Sequence, residues 1–101
     1  YEAFHRIDSL AGRGEDTGSA DIVGPICETG DYLARSRQMP LVEAGDYLAI
    51  RGVGAYGAVM MSNYNTRPEA SEVLCYEGMV HLIRPRRTVD DLINMEINPF
   101  L

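Results

Sequence analysis

Apolar and polar positions change over every few residues along the chain, and the pattern predicts mostly short strands separated by turns. Residues 1–7 read as a strand. They run into residues 8–19, rich in glycine, serine and charge, which predict a mobile surface loop. Residues 20–24 form a short apolar run stopped by Pro25. Residues 26–30 then turn into residues 31–35, and Gln38-Met39-Pro40 breaks the chain again. Glu43-Ala44-Gly45-Asp46 is a turn signal, and residues 47–51 after it predict a buried strand.

Residues 53–63 differ. Ala55, Ala58, Val59 and Met61 with little β-branching predict a short helix, opened by glycines and ended at Asn65-Thr66-Arg67-Pro68. Residues 72–76 and 79–83 flank Glu77-Gly78, a two-residue loop suited to a tight hairpin. Arg84-Pro85-Arg86-Arg87 leaves the sheet. Thr88 then predicts an N-cap, with Asp90 and Asp91 in the first turn of a helix. Some six short strands with regular turns imply an all-β fold, a small barrel or sandwich with one or two short helices. A strand beginning at the first residue, Tyr1, predicts further chain upstream.

Composition narrows the chemistry. The chain has 101 residues, enough for one modest core, and its nine basic side chains are all arginine. Without lysine it offers no side-chain amine nucleophile, no lysine base and no P-loop lysine. A net charge of −6 argues against a sequence-independent grip on nucleic acid. No apolar stretch approaches the ~20 residues of a membrane span. The two cysteines, Cys27 and Cys75, are isolated and read as reduced thiols of a cytoplasmic protein, and two distant histidines make no metal-ligand set.

Three positions could carry chemistry. Cys27 and Glu28 lie between Pro25 and Gly30. Locally they fit a small buried thiol beside a solvated acid. They also fit a thiol and a carboxylate facing a partner or cavity, one able to donate a proton and the other to hold an ammonium group. Tyr56, in Gly54-Ala55-Tyr56-Gly57, fits a core tyrosine or a phenol left open toward a phosphate. His5 and His81 read as strand-surface residues, Met60-Met61 as core packing, Cys75 as buried and inert, and the arginines 84, 86 and 87 as a solvated exit from the sheet.

Taken as an ordered set, these pieces resemble a known family. Val23-Gly24-Pro25-Ile26-Cys27-Glu28-Thr29-Gly30-Asp31-Tyr32-Leu33-Ala34 looks like the cysteine-glutamate loop of the diaminopimelate decarboxylases, with threonine in place of the commoner serine. Gly45-Asp46-Tyr47-Leu48-Ala49-Ile50, Gly54-Ala55-Tyr56-Gly57, Ser62-Asn63-Tyr64-Asn65-Thr66-Arg67-Pro68 and Glu72-Val73-Leu74 follow in the family's order. Each motif is weak alone and the set is specific. Residues 10–19 and the tail from Asn94 carry no signature.

The resemblance implies that residues 1–101 are the C-terminal, Greek-key-like β-barrel domain of a fold-type III decarboxylase. Its pyridoxal 5'-phosphate would sit mainly on a lysine of an N-terminal TIM-like barrel absent from this chain. The implied reaction converts meso-2,6-diaminopimelate to L-lysine and CO2 in a cytoplasmic homodimer, and the domain alone would be inactive. By the same resemblance, Cys27 enters the partner subunit's site and returns a proton to the α-carbon. Glu28 binds the distal amino group. Tyr56 lies near the cofactor phosphate and the substrate, and Tyr1 contacts a substrate carboxylate. Asp31 matches a dimer-contact position of related ornithine decarboxylases. Glutamate after the cysteine favours diaminopimelate over ornithine, arginine or carboxynorspermidine as substrate. The reading from another class is a β-barrel interaction module without chemistry.

Overall fold

The computed structural model describes residues 3–101, and the chain divides into two compact units, the first ending at Met60 and the second spanning Met61–Leu101. The first holds strands β1 (Ile7–Ser9), β2 (Thr17–Val23), β3 (Tyr32–Pro40) and β4 (Leu48–Ile50) and helix α1 (Gly54–Met60). β1 pairs antiparallel with β4, Ile7 opposite Ile50 and Ser9 opposite Leu48. Leu10 N–H to Tyr47 O and Arg51 N–H to Arg6 O carry the pairing one step past each end. The first strand therefore lies later than the pattern predicts, in part of what reads as loop.

β2 pairs antiparallel with β3 from Thr17 opposite Pro40 to Val23 opposite Tyr32. β2 alternates cleanly, with Gly18, Ala20 and Ile22 turned inward. The register slips between Ala20 and Ile22 and again before Val23, each time with an extra residue on β3. At the first slip Ser36 takes φ 48°, and its N–H is caught by the Asp21 carboxylate at 2.7 Å. β3 also runs through Gln38-Met39-Pro40, where the sequence predicts a break. Pro40 is the strand's last residue, where a missing N–H costs the ladder little.

Ile7, Ala34 and Met39 form the buried core, with Ala20, Ile22, Leu48 and Ile50 packed against it. The two ladders thus share one small core. Full burial of a side chain such as Ile7 or Met39 contributes roughly 1.5–3 kcal/mol. Residues 47–51 are not a buried strand: Leu48–Ile50 is half-buried and Tyr47 is 78% exposed. α1 forms where the pattern predicts a helix, but it buries none of its residues, and Met60 is exposed rather than packed in a core.

The segment between β1 and β2 is tied down. The Arg13 guanidinium donates to both Asp46 carboxylate oxygens at 2.7 Å, and Glu43 lies 3.2 Å from its third nitrogen. Asp46 also accepts from Glu43 N–H, inside the turn that Gly45 completes at φ 95°. The Arg13 hydrogen bonds, then that of Glu43, hold the Asp46 carboxyl down at about 2. Because the folded value is depressed, this stabilisation is complete above the ordinary 3.8 and is lost as pH falls from there toward 2. The melting-temperature advantage of the native protein over Arg13→Ala should therefore hold from pH 7 to pH 5 and shrink below pH 4. An advantage equal at pH 7 and pH 2.5 would contradict the clamp.

The second unit contains a 3-10 turn at Tyr64–Thr66, the hairpin of β5 (Glu72–Tyr76) and β6 (Met79–Arg84), and helix α2 (Val89–Ile93). Tyr76 faces Met79 across Glu77 and Gly78, at φ 48° and 75°, the pair of positive values that a tight hairpin turn needs. Glu72 and Arg84 close the open end at 2.9 Å. Thr88 caps α2 as predicted, in a reciprocal box with Asp91.

Residues along this hairpin are exposed on both faces, including Val73, Leu74, Val80 and Leu82. Cys75 is exposed too, against the expectation of a buried thiol. Alternation marks two faces of a strand, but burial requires something to lie over one of them. Among the described residues the strands form three two-stranded ladders, a mostly sheet architecture with two helices. No closed barrel is formed within either unit among the described residues.

Candidate functional site

Residues 24–31 connect β2 to β3 and carry Cys27 and Glu28. The loop closes on itself: Gly24 N–H donates to Asp31 O at 2.8 Å, and Asp31 N–H donates back to Glu28 O at 3.1 Å. Glu28 N–H reaches Ile26 O at 2.8 Å, which puts Cys27 at the centre of a three-residue γ-turn. Such a turn throws its central side chain outward, and Cys27, Glu28 and Thr29 are all exposed while Ile26 and Asp31 are half-buried. The local alternative of a buried thiol is thereby set aside.

Two carboxylates brace the loop from within. Asp31 Oδ2 accepts from Ile26 N–H at 2.8 Å. A Cβ on Gly24 would overlap the Asp31 carboxylate, so only glycine leaves that seat open. Glu28 Oε2 accepts from Gly30 N–H at 2.5 Å, and a Cβ on Gly30 would approach it to 2.7 Å. The acid that the resemblance assigns to a substrate amine is thus folded back along its own loop. An exposed hydrogen bond of this kind contributes little net stability and is readily exchanged for a cationic partner. The bracing by Gly24 and Asp31 lies outside what the sequence pattern predicts. Its signal is a glycine and an aspartate at opposite ends of a short loop that also contains proline.

Tyr56 stands on α1 and is 76% exposed. α1 has only seven residues and no acid in its first turn. The phenol is accessible to a ligand brought from outside. Cys27 and Glu28 are therefore brought together on one loop, Tyr56 is offered by a second element of the same unit, and Tyr1 lies outside the described residues.

The remaining candidates are placed elsewhere. His5 lies before β1, with Nδ1 3.2 Å from Arg51 O, and His81 is exposed on β6. Arg84 and Arg87 face Glu72 and Glu69 at 2.9 and 3.8 Å, so the arginine cluster is at least half paired. An open concavity of about 670 Å³ beside it is lined by Arg84, Arg86, Arg87 and Asp91 among others, and by none of the loop residues. Among the described residues no group of three His, Cys, Asp or Glu side chains could hold a metal ion, and no helix is long and apolar enough to cross a membrane.

Residues 1–54 match the family model described as "Pyridoxal-dependent decarboxylase, C-terminal sheet domain". Diaminopimelate decarboxylase of Aquifex aeolicus is 46% identical over 98 residues, which are 97% of this chain and 23% of that protein. The enzyme of the same name from Pseudomonas aeruginosa is 49% identical over 92 residues, 91% of this chain and 22% of that protein. A crystal structure of diaminopimelate decarboxylase from M. jannaschii in co-complex with L-lysine superposes with a TM-score of 0.88 at 43% identity, over 98% of this chain and 23% of that one. The chain thus spans about a quarter of the length of the proteins it matches.

Proposed function

We propose, from the premise that the chain belongs to the pyridoxal-dependent decarboxylases as their C-terminal sheet domain, that it completes the active site of an enzyme decarboxylating meso-2,6-diaminopimelate to L-lysine. The observation that carries this reading is the braced loop that presents Cys27 and Glu28 together, in a chain 46% identical to a named diaminopimelate decarboxylase over nearly its full length.

Pyridoxal phosphate, when bound, supplies the electron sink that decarboxylation requires. This chain has no lysine and cannot hold the cofactor covalently, so its residues can only line a site whose other wall lies elsewhere in the protein. Tyr56, exposed on α1, fits a phosphate oxygen or a substrate group. Tyr1 is assigned to a substrate carboxylate by the same resemblance.

Cys27 supplies the proton. Once CO2 has left, the substrate α-carbon needs a proton delivered from one face, and a thiol carries one that it can give. The γ-turn holds Cys27 out from the sheet, where it can enter a site on a partner subunit. Glu28 supplies recognition. Turned from Gly30 N–H toward substrate, its carboxylate meets the distal ammonium of diaminopimelate. The homodimer and the closure of the ladders into a β-barrel in the intact protein belong to the same proposal. Both are supported by the unpaired strand edges and by the apolar side chains exposed along the hairpin.

A substrate panel tests the assignment. The intact protein, loaded with pyridoxal phosphate, should release CO2 from meso-diaminopimelate with a kcat/KM at least about 100-fold above that for ornithine or arginine, because both keep a distal cation but lack the second carboxylate, and a site built to bind that group rejects analogues without it. Comparable values for ornithine or arginine would assign the domain to a sister decarboxylase.

A further inference from the structure

The geometry points to Asp31 as a positioning residue that sets the place of Cys27, an inference that rests on the decarboxylase reading for its consequence and on the loop alone for its structure. Asp31 ties the two ends of the loop together twice. Its backbone carbonyl accepts Gly24 N–H at 2.8 Å, and its carboxylate accepts Ile26 N–H at 2.8 Å. Residue 25 is proline and has no N–H to offer. The Ile26 amide is therefore the first donor after Gly24, and it lies one residue before the thiol. Fixing it fixes the entry to the γ-turn at Cys27.

Gly24 is the other half of the device. The Asp31 carboxylate occupies the volume that a Cβ at residue 24 would fill. Gly24 is absent from the positions of positive φ, so its requirement here is space and not backbone conformation. Asp31 is half-buried, which makes its hydrogen bond less open to replacement by water than that of Glu28 with Gly30. The two carboxylates thus divide the work. Glu28 is exposed and can turn outward, while Asp31 stays as the brace that leaves Cys27 in place when it does.

The test uses the intact decarboxylase and three variants, with hydrogen exchange of the peptide spanning residues 24–31 and kcat on diaminopimelate as the two readouts. Asp31→Ala should speed exchange at the Ile26 amide and lower kcat by roughly 10-fold or more, the scale of a small misplacement of a reacting group. Asp31→Asn keeps an oxygen acceptor of the same shape and should hold both readouts within about 3-fold of the native protein. Gly24→Ala should repeat Asp31→Ala, and the double variant should be no worse than either alone, because both remove one interaction. If Gly24→Ala does not fold, the two Asp31 variants decide the matter. Native exchange in Asp31→Ala, or an Asp31→Asn as impaired as Asp31→Ala, would overturn the brace. The second result would point to the charge, as at a subunit contact. Failure of the decarboxylase reading shows separately, as no CO2 release from diaminopimelate by the native protein with the exchange response to Asp31→Ala intact.

Discussion

Cys27→Ala in the intact enzyme is expected to lower turnover of diaminopimelate by at least about 100-fold, the usual range for loss of a positioned acid or base. The expectation rests on where the thiol is. It stands exposed at the centre of a γ-turn on a loop closed at both ends, with a second, ionisable side chain beside it. Alanine removes the sulfur and leaves in place the groups of the Ile26–Glu28 backbone bond and of the Asp31 carboxylate's bond to Ile26 N–H. Loading with pyridoxal phosphate should be unchanged, so the loss should fall on kcat. Steady-state measurement of CO2 release alongside the cofactor's absorbance separates the two. Native kcat in this variant would remove Cys27 from the reaction.

Glu28→Gln is expected to cost about 10- to 100-fold in kcat/KM for diaminopimelate, the scale of a charge-assisted hydrogen bond left without its charge. Glutamine can still accept from Gly30 N–H, so the loop itself should not change. What it cannot do is neutralise an ammonium group. The loss should therefore appear in substrate affinity and leave cofactor loading alone. Equal losses in both would mean that the substitution disturbs the loop, and the distal-amine role would fall.

The parts of the molecule legible in the sequence are those decided by a few adjacent residues. Glu77-Gly78 demands two positive φ angles, and the hairpin follows. Thr88 and Asp91 need only each other to cap α2. Glu43 to Asp46 makes its turn with its own backbone. Features decided by distant partners are not legible in this way. Residues 8–19 look like loop until Ser9 is set opposite Leu48 and Arg13 against Asp46, some 33 residues away. Pro40 looks like a stop until Thr17 is placed beside it. Cys75 and Met60 look like core because alternation and apolar character do not say whether anything covers them.

The candidate site follows the same division. That Cys27 and Glu28 share a bracketed loop is visible in the order of Pro25 and Gly30. That the thiol is exposed, that Glu28 turns back to Gly30, and that Asp31 seats over Gly24 all depend on how the loop closes, which composition does not state. The family resemblance joined the loop to Tyr56 and to a cofactor that this lysine-free chain cannot hold covalently.

If the 24–31 loop faces substrate, a bound ligand should shield its thiol in the intact enzyme. Cys27 is exposed on the loop, and a free-thiol peptide added to the same mixture supplies the control. Alkylation by iodoacetamide, followed peptide by peptide by mass spectrometry, should slow at Cys27 when saturating L-lysine is added and stay unchanged at the control thiol. Equal rates at Cys27 with and without L-lysine, in enzyme shown to bind it, would mean that the loop does not face substrate.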